Sequence, residues 1–276
     1  AFADMSRTIS DLFFACDLDD TMLDSQKQIS PGNQRAIADF SSKGGKFVIA
    51  TGRAVPATEP YVKQLDIAYP CVLYNGAAIY DFSAQKFIWT ANLISEAREY
   101  LKEILTAFPE VGAEILKDEQ IYVVRKNRYI SEHVDVEQLD YCEVEPDDVS
   151  DGWFKILMVM DSGILEQVWD FIVEKQYASV DFVKSSCNYI EMLPQHISKG
   201  ATVMRLAEML GVKPENTVGM GDYNNDIEML GLTAFSFSPE NAPAEVKNQA
   251  KHITPNCNQD AVAYALDYVT SKIDTF

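Results

Sequence analysis

The sequence predicts an α/β fold, a parallel-sheet core interrupted once by an inserted α+β cap, and three observations carry that expectation. Short β-branched and aromatic runs alternate with helical periods in the first third of the chain. Between residues 82 and 194 the runs alternate as strands do when one face is covered, with two long amphipathic helices among them. After Ser198 the first style returns. The division expected is therefore a discontinuous core, residues 1–81 and 195–276, around a cap of residues 82–194.

Taken in order, residues 12–17 read as a buried strand. Ser30-Pro31 starts a helix by its N-cap and first-turn preferences, and Lys43-Gly44-Gly45 stops it. Residues 46–51 and 70–74 are the second and third buried strands. In the insertion, residues 86–90 form a strand, and Ala97, Tyr100, Leu101, Ile104, Leu105 and Phe108 mark one face of a helix. Strands follow at 112–117 and 120–125, with a short helix near Ile130 and an acidic loop over 143–151. A strand at 153–160 precedes a second helical stripe on Leu165, Val168, Trp169, Ile172 and Val173. Strands at 180–184 and 188–193 close the insertion, whose strands are expected to face helices on one side and water on the other. In the returning core, a helix carries Val203, Leu206, Ala207 and Leu210, and strands occupy 217–221 and 233–237 with a helix at 225–230 between them. Val262, Ala265, Leu266 and Val269 mark the last helix.

Composition narrows the function. A net charge of −19, from 42 acidic and 23 basic residues, disfavours nucleic acid and anionic membranes as partners. No apolar run approaches the roughly 18 residues of a membrane span. Residues 1–11 lack the basic start and apolar stretch of a secretory leader, and Ala1 to Asp4, ahead of Met5, are set aside in fold reasoning. The five cysteines are scattered, without a C-x-x-C pair, which argues against a disulfide framework or structural zinc and suits a reducing cytoplasm. His133, His196 and His252 read as surface or loop residues.

The chemistry-bearing residues cluster at the ends of the predicted core strands. Asp17-Leu18-Asp19-Asp20-Thr21 places three carboxylates in four positions after the first strand. Two such charges ~4 Å apart repel by about 4 kcal/mol at an effective dielectric near 20. A hard divalent cation relieves that cost, and the carboxyl ends of strands are where open α/β sheets bind ligands. Gly219-Met220-Gly221-Asp222-Tyr223-Asn224-Asn225-Asp226 supplies a further carboxylate from another strand and an amide at a helix start. Thr51-Gly52-Arg53 offers a hydroxyl and backbone donors, and Lys199 opens the helix after the insertion.

These four groups, in this order, resemble the motifs of the haloacid dehalogenase-like (HAD) hydrolases, and the insertion with Tyr74-Asn75-Gly76-Ala77 is similar to the Cof-type branch with a class IIB cap. The resemblance implies a Rossmann-like core and a Mg²⁺-dependent phosphatase acting on sugar phosphates or similar monoesters, so the partner expected is a small phosphorylated metabolite, bound by a monomer or weak homo-oligomer. It implies Asp17 as nucleophile and Asp19 as acid and base, with Thr51 and Lys199 also catalytic. Leu18, Thr51, Gly52, Lys199 and Asn225 are implied to hold the phosphoryl group; Asp17, Asp19 (by its carbonyl) and Asp222 to hold Mg²⁺; and Asp226 to orient Lys199 or a metal-bound water. Asp20 departs from the glycine most common there, and tuning of the loop rather than loss of chemistry is expected. Tyr189, Glu191, Met192 and Arg53 are candidates for substrate contact. A phosphomutase with the same aspartyl-phosphate, or a non-enzymatic phosphate-binding module, stand as alternatives.

Overall fold

The computed structural model describes residues 6–275, so the segment ahead of Met5 lies outside the described residues. The core holds five parallel strands in the order β14-β13-β12-β1-β2. They are β1 (Phe13–Cys16), β2 (Lys46–Ile49), β12 (Thr217–Met220), β13 (Phe235–Pro239) and β14 (His252–Thr254). Every residue of β1 is buried, because both faces of the sheet are covered. Phe13 and Ala15 pack with Val48, Val203 and Leu206 on one side. On the other, the Phe14 ring stacks against Phe47 at 5.6 Å and Phe237 at 6.3 Å.

The helices of the first segment are α1 (Pro31–Ser42) and α2 (Val55–Leu65). The Ser30 side chain caps α1 by accepting from Asn33 N at 3.1 Å. Helix α2 was not legible in the sequence: Pro56 stands in its first turn, where proline is tolerated, but Pro60 falls inside it and argues against a helix. The third expected strand, β3 (Cys71–Leu73), lies beside β2 only through the single Ala50–Val72 bridge. Its full partner is β4 (Ala78–Asp81), antiparallel, and β4 in turn pairs with β5 (Lys86–Thr90). Thus β5, read as part of the insertion, hydrogen-bonds to the core side of that boundary.

The cap contains α3 (Ala97–Ala107), β6 (Gly112–Lys117), β7 (Gln120–Arg125), α4 (Arg128–Val136), β8 (Cys142–Glu143), β9 (Lys155–Val159), α5 (Leu165–Lys175), β10 (Val180–Ser186) and β11 (Tyr189–Pro194). Its six strands run in the order β10-β11-β9-β6-β7-β8, and all pair antiparallel except β7 with β8. Helices α3 and α5 cover one face, where Leu101, Ile104, Val168 and Ile172 meet Ala113, Ile115, Ile156 and Met158. The expectation that the other face looks into water is corrected by the structure. Leu116, Ile121, Val123, Leu157 and Val159 on that face join the same apolar cluster as the core residues Tyr74 and Tyr80. The polar members Glu114, Lys155 and Glu191 gave that face a solvent-like pattern, yet all three are buried. The chain returns through α6 (Lys199–Met209), α7 (Ile227–Leu232), α8 (Ala244–Gln249) and α9 (Ala261–Ser271).

Candidate active site

Asp17 leaves the end of β1, with its N–H donating to Met220 O of the neighbouring β12 at 3.0 Å. Its carboxylate accepts from Leu18 N at 2.9 Å, so that N–H is engaged by the aspartate itself. The following turn is tight. Asp20 sits in the left-handed region at φ 57°, a conformation that glycine adopts freely and aspartate tolerates.

The register of β1 with β12 brings the second acidic segment alongside. Carboxylate oxygens of Asp17, Asp222 and Asp226 all lie within 4.8 Å of one another, and all three residues are buried. Gly221 permits this convergence: a Cβ there would stand 2.3 Å from Asp226 Cγ. Asp226 is held by both oxygens, Oδ1 by Lys199 Nζ at 2.7 Å and Oδ2 by the N–H groups of Asp222 at 2.9 Å and Tyr223 at 3.2 Å. Thr21 donates its hydroxyl to Asp222 Oδ1 at 2.8 Å.

Lys199 is the single ammonium facing these three carboxylates among the described residues, 3.1 Å from Asp17 Oδ1. It enters from the first turn of α6, whose start is capped by Ser198. Burial alone would lower its pKa, but the Asp17 and Asp226 charges more than offset that and hold it charged. One ammonium leaves the carboxylates in surplus. Burial, then the neighbouring Asp226 charge, pushes the Asp17 carboxyl well up and that of Asp222 up to about 7. Hard oxygen donors with an uncompensated negative charge fit a small divalent cation, which would remove the repulsion.

Asp19 does not share this cluster. Its carboxylate is clasped by Arg53, through Nε at 2.9 Å and Nη2 at 2.8 Å, and by Lys27 Nζ at 2.9 Å. Burial would raise its pKa, yet the Arg53 and Lys27 charges hold it well below the ordinary range. Thr51, at the end of β2, is buried, and its hydroxyl oxygen accepts from Arg53 N at 3.1 Å. Gly52 has the cap against it: Lys155 Nζ donates to its carbonyl at 2.5 Å. Lys155 is itself paired with Glu191, and Glu191 accepts from the Asn75 amide. Asn75 Oδ1 accepts from Asn225 Nδ2 at 3.1 Å, leaving Asn225 Oδ1 buried without a partner.

A cavity of about 460 Å³ opens between these core loops and the inner face of the cap. Asp17, Asp19, Thr51, Gly52, Asp222 and Asn225 line its core side. Tyr189 and Glu191 line its cap side, and Arg53 lies nearly buried at the seam. Met192 does not reach it, because strand alternation turns that side chain into the opposite, helix-covered face. His133 was misread as a surface or loop residue. It lies on α4, lines the cavity and is nearly buried between Glu114 and Glu137. The available signal was its spacing to Glu137, four residues on along the same helix. His196 is exposed and His252 stacks on Tyr268 at 4.3 Å, away from the cavity.

The comparisons with known proteins bear on the family and the fold. The haloacid dehalogenase-like hydrolase pattern matches residues 14–266. The Bacillus subtilis 5-amino-6-(5-phospho-D-ribitylamino)uracil phosphatase YwtE is 25% identical over 284 residues, covering 93% of this chain and 97% of that protein. The crystal structure of TM0651 from Thermotoga maritima superposes with a TM-score of 0.77 at 26% identity, covering 93% of this chain and 97% of that one. The HAD subclass IIB sugar phosphatase BT4131 shares the fold at a TM-score of 0.80 and 19% identity, covering 93% and 98%. With the match running from β1 into α9, the chain belongs to the haloacid dehalogenase-like hydrolases.

Proposed function

We propose that the chain is a magnesium-dependent phosphatase that hydrolyses small phosphate monoesters, sugar phosphates or similar metabolites, through a phosphoryl group carried on Asp17. The observation that supports this most is the meeting of Asp17, Asp222 and Lys199 in one buried cluster, of which Asp17 and Asp222 line the cavity. The phosphatase names of relatives such as YwtE support the reaction class.

In this reading an Asp17 oxygen forms a bond to phosphorus as the bond to the leaving alcohol breaks, dividing one displacement into two. Asp19, once turned out of its Arg53 and Lys27 clasp and protonated from solvent, gives the departing oxygen that proton, then takes one from the water that releases phosphate. Lys199 balances charge on the phosphoryl oxygens, and Thr51, Asn225 and the Leu18 and Gly52 backbones orient them. Asp17, Asp222 and the Asp19 carbonyl would hold Mg²⁺. When bound, the ion neutralises the surplus carboxylate charge and draws negative charge off the phosphoryl oxygens. Asp226 keeps Lys199 in place through the 2.7 Å contact. The cap excludes water while the first bond is exchanged.

Turnover of 4-nitrophenyl phosphate with Mg²⁺, with EDTA, and in the Asp17→Asn variant tests the reading. Activity should need Mg²⁺ and vanish in the variant. Turnover that survives both EDTA and Asp17→Asn would overturn it.

A further inference from the structure

Three side chains run in a line from the cap to the core loop that carries Asn225. Glu191, on the inner face of β11, accepts from the Asn75 amide nitrogen, and Asn75 Oδ1 accepts from Asn225 Nδ2 at 3.1 Å. Glu191 is paired with Lys155, which also donates to the Gly52 carbonyl at 2.5 Å. Glu191 and Asn75 are both buried. The turn that carries Asn75 is pinned to the loop after β2, where Tyr74 N donates to Arg53 O at 3.1 Å and Asn75 N to Thr51 O at 3.0 Å.

An amide side chain has two ends of similar shape and opposite hydrogen-bonding character, so a neighbour must decide which way it points. Here that decision begins in the cap. A carboxylate beside an ammonium only accepts, so Glu191 takes the nitrogen end of Asn75. This turns Asn75 Oδ1 toward Asn225, where an oxygen accepts only from the nitrogen end of that amide. Asn225 Oδ1 is buried without a partner, so nothing at the other end fixes its orientation. One N–H of Asn225 is spent on Asn75, and the second is left for the cavity, which Asn225 lines. With the amide reversed, two oxygens would oppose each other across the Asn75 contact.

We propose that Glu191 and Asn75 are positioning residues: through the Asn75 amide, the cap carboxylate holds Asn225 with an N–H toward the phosphoryl oxygens, so the protein binds phosphate most tightly while the cap is seated on the core. The inference rests on Asn225 serving as a phosphate donor in the proposed reaction. It gives the cap a hold on the phosphoryl group in addition to excluding water. Lifting the cap takes Glu191 away from Asn75, frees both amides to reverse and loosens the product phosphate.

The test measures the Kd of inorganic phosphate by calorimetric titration of the protein in Mg²⁺, with thermal melts to establish that each variant is folded. Asn75→Gly removes the amide and keeps the turn, since glycine accepts the φ of 58° found there. The Kd should rise about tenfold, as for loss of one hydrogen bond to a charged group. Lys155→Met/Glu191→Met removes the cap end of the line as a pair, strands no buried charge, and should raise the Kd to a similar extent. Asn225→Ala removes the donor itself and should raise the Kd at least as much. Adding Asn75→Gly to Asn225→Ala should then cost nothing more, because the orienting residue has nothing left to orient, whereas a merely structural defect would add. An unchanged Kd in Asn75→Gly or in the Lys155→Met/Glu191→Met variant, or additive losses on combination, would overturn the inference and leave the proposed reaction standing. If Asn225→Ala binds phosphate as tightly as the unmodified protein, the donor role fails and this inference falls with it.

Discussion

Lys199 Nζ lies 3.1 Å from Asp17 Oδ1, both side chains withdrawn from solvent, and the same ammonium is 2.7 Å from Asp226 Oδ1. Replacing it by Met leaves three buried carboxylates without a cation. Lys199→Met should cost about 3–5 kcal/mol of stability, the range for removing one member of a buried ion pair. Added Mg²⁺ should recover part of the loss in a thermal melt, and phosphatase activity should stay absent. An unchanged melting temperature would show that the carboxylates are not in surplus.

Gly76 lies at φ +103°, and a Cβ there would stand 2.2 Å from Ser198 O and 2.8 Å from Lys199 N. Its carbonyl also accepts from Thr202 Oγ1 at 2.6 Å. Gly76→Ala therefore pushes on the first turn of α6, from which Lys199 projects. A destabilisation of about 2 kcal/mol or more is expected from the combined backbone and steric conflict. Activity should fall further than the lost stability explains, measured at a temperature where the variant remains folded.

Lys155 and Glu191 form a buried pair on the inner face of the cap, with 3% and 2% of their side chains exposed. Lys155→Met strands the Glu191 charge beside the Gly52 carbonyl and should cost about 3–5 kcal/mol. Replacing Glu191 by Met as well should restore most of that stability. Denaturant melts of the two single variants and the double variant check this. A double variant no more stable than Lys155→Met would contradict the pairing.

Burial alone would depress His133, but the Glu114 and Glu137 carboxylates raise it from 6.5 to about 10. A group raised on folding binds its proton more tightly in the folded state. Its contribution to stability is then complete below pH 6.5 and disappears as pH climbs through about 10. His133→Gln should flatten the fall in stability across that window relative to the unmodified protein. NMR of the imidazole should find the ring still protonated at pH 8; a neutral ring there would contradict the twin contacts.

Much of the fold was legible because its physical causes are local. The all-apolar run ending at Asp17 marks a strand covered on both faces, and Ser30-Pro31 marks a helix start by capping chemistry alone. The acidic segments after residues 16 and 220 were identifiable because like charges so close in sequence, at strand ends, call for a cation. Helix α2 was hidden by Pro60, which interrupts its interior. The placement of Lys86–Thr90 depended on its pairing with β4, a choice between partners that a single strand does not encode.

The sequence by itself determined which side chains stand at the carboxyl ends of the core strands, since strand and helix boundaries follow from neighbours a few residues away. Only the tertiary structure decided how those side chains divide. It put Asp226 with Asp17 and Lys199, and sent the Asp19 carboxylate instead to Arg53 and Lys27. It also turned the polar face of the cap, with His133 and Glu191, inward over the cavity. Alternation along a strand tells which residues share a face, whereas the medium that face meets is set by contacts between residues far apart in the chain.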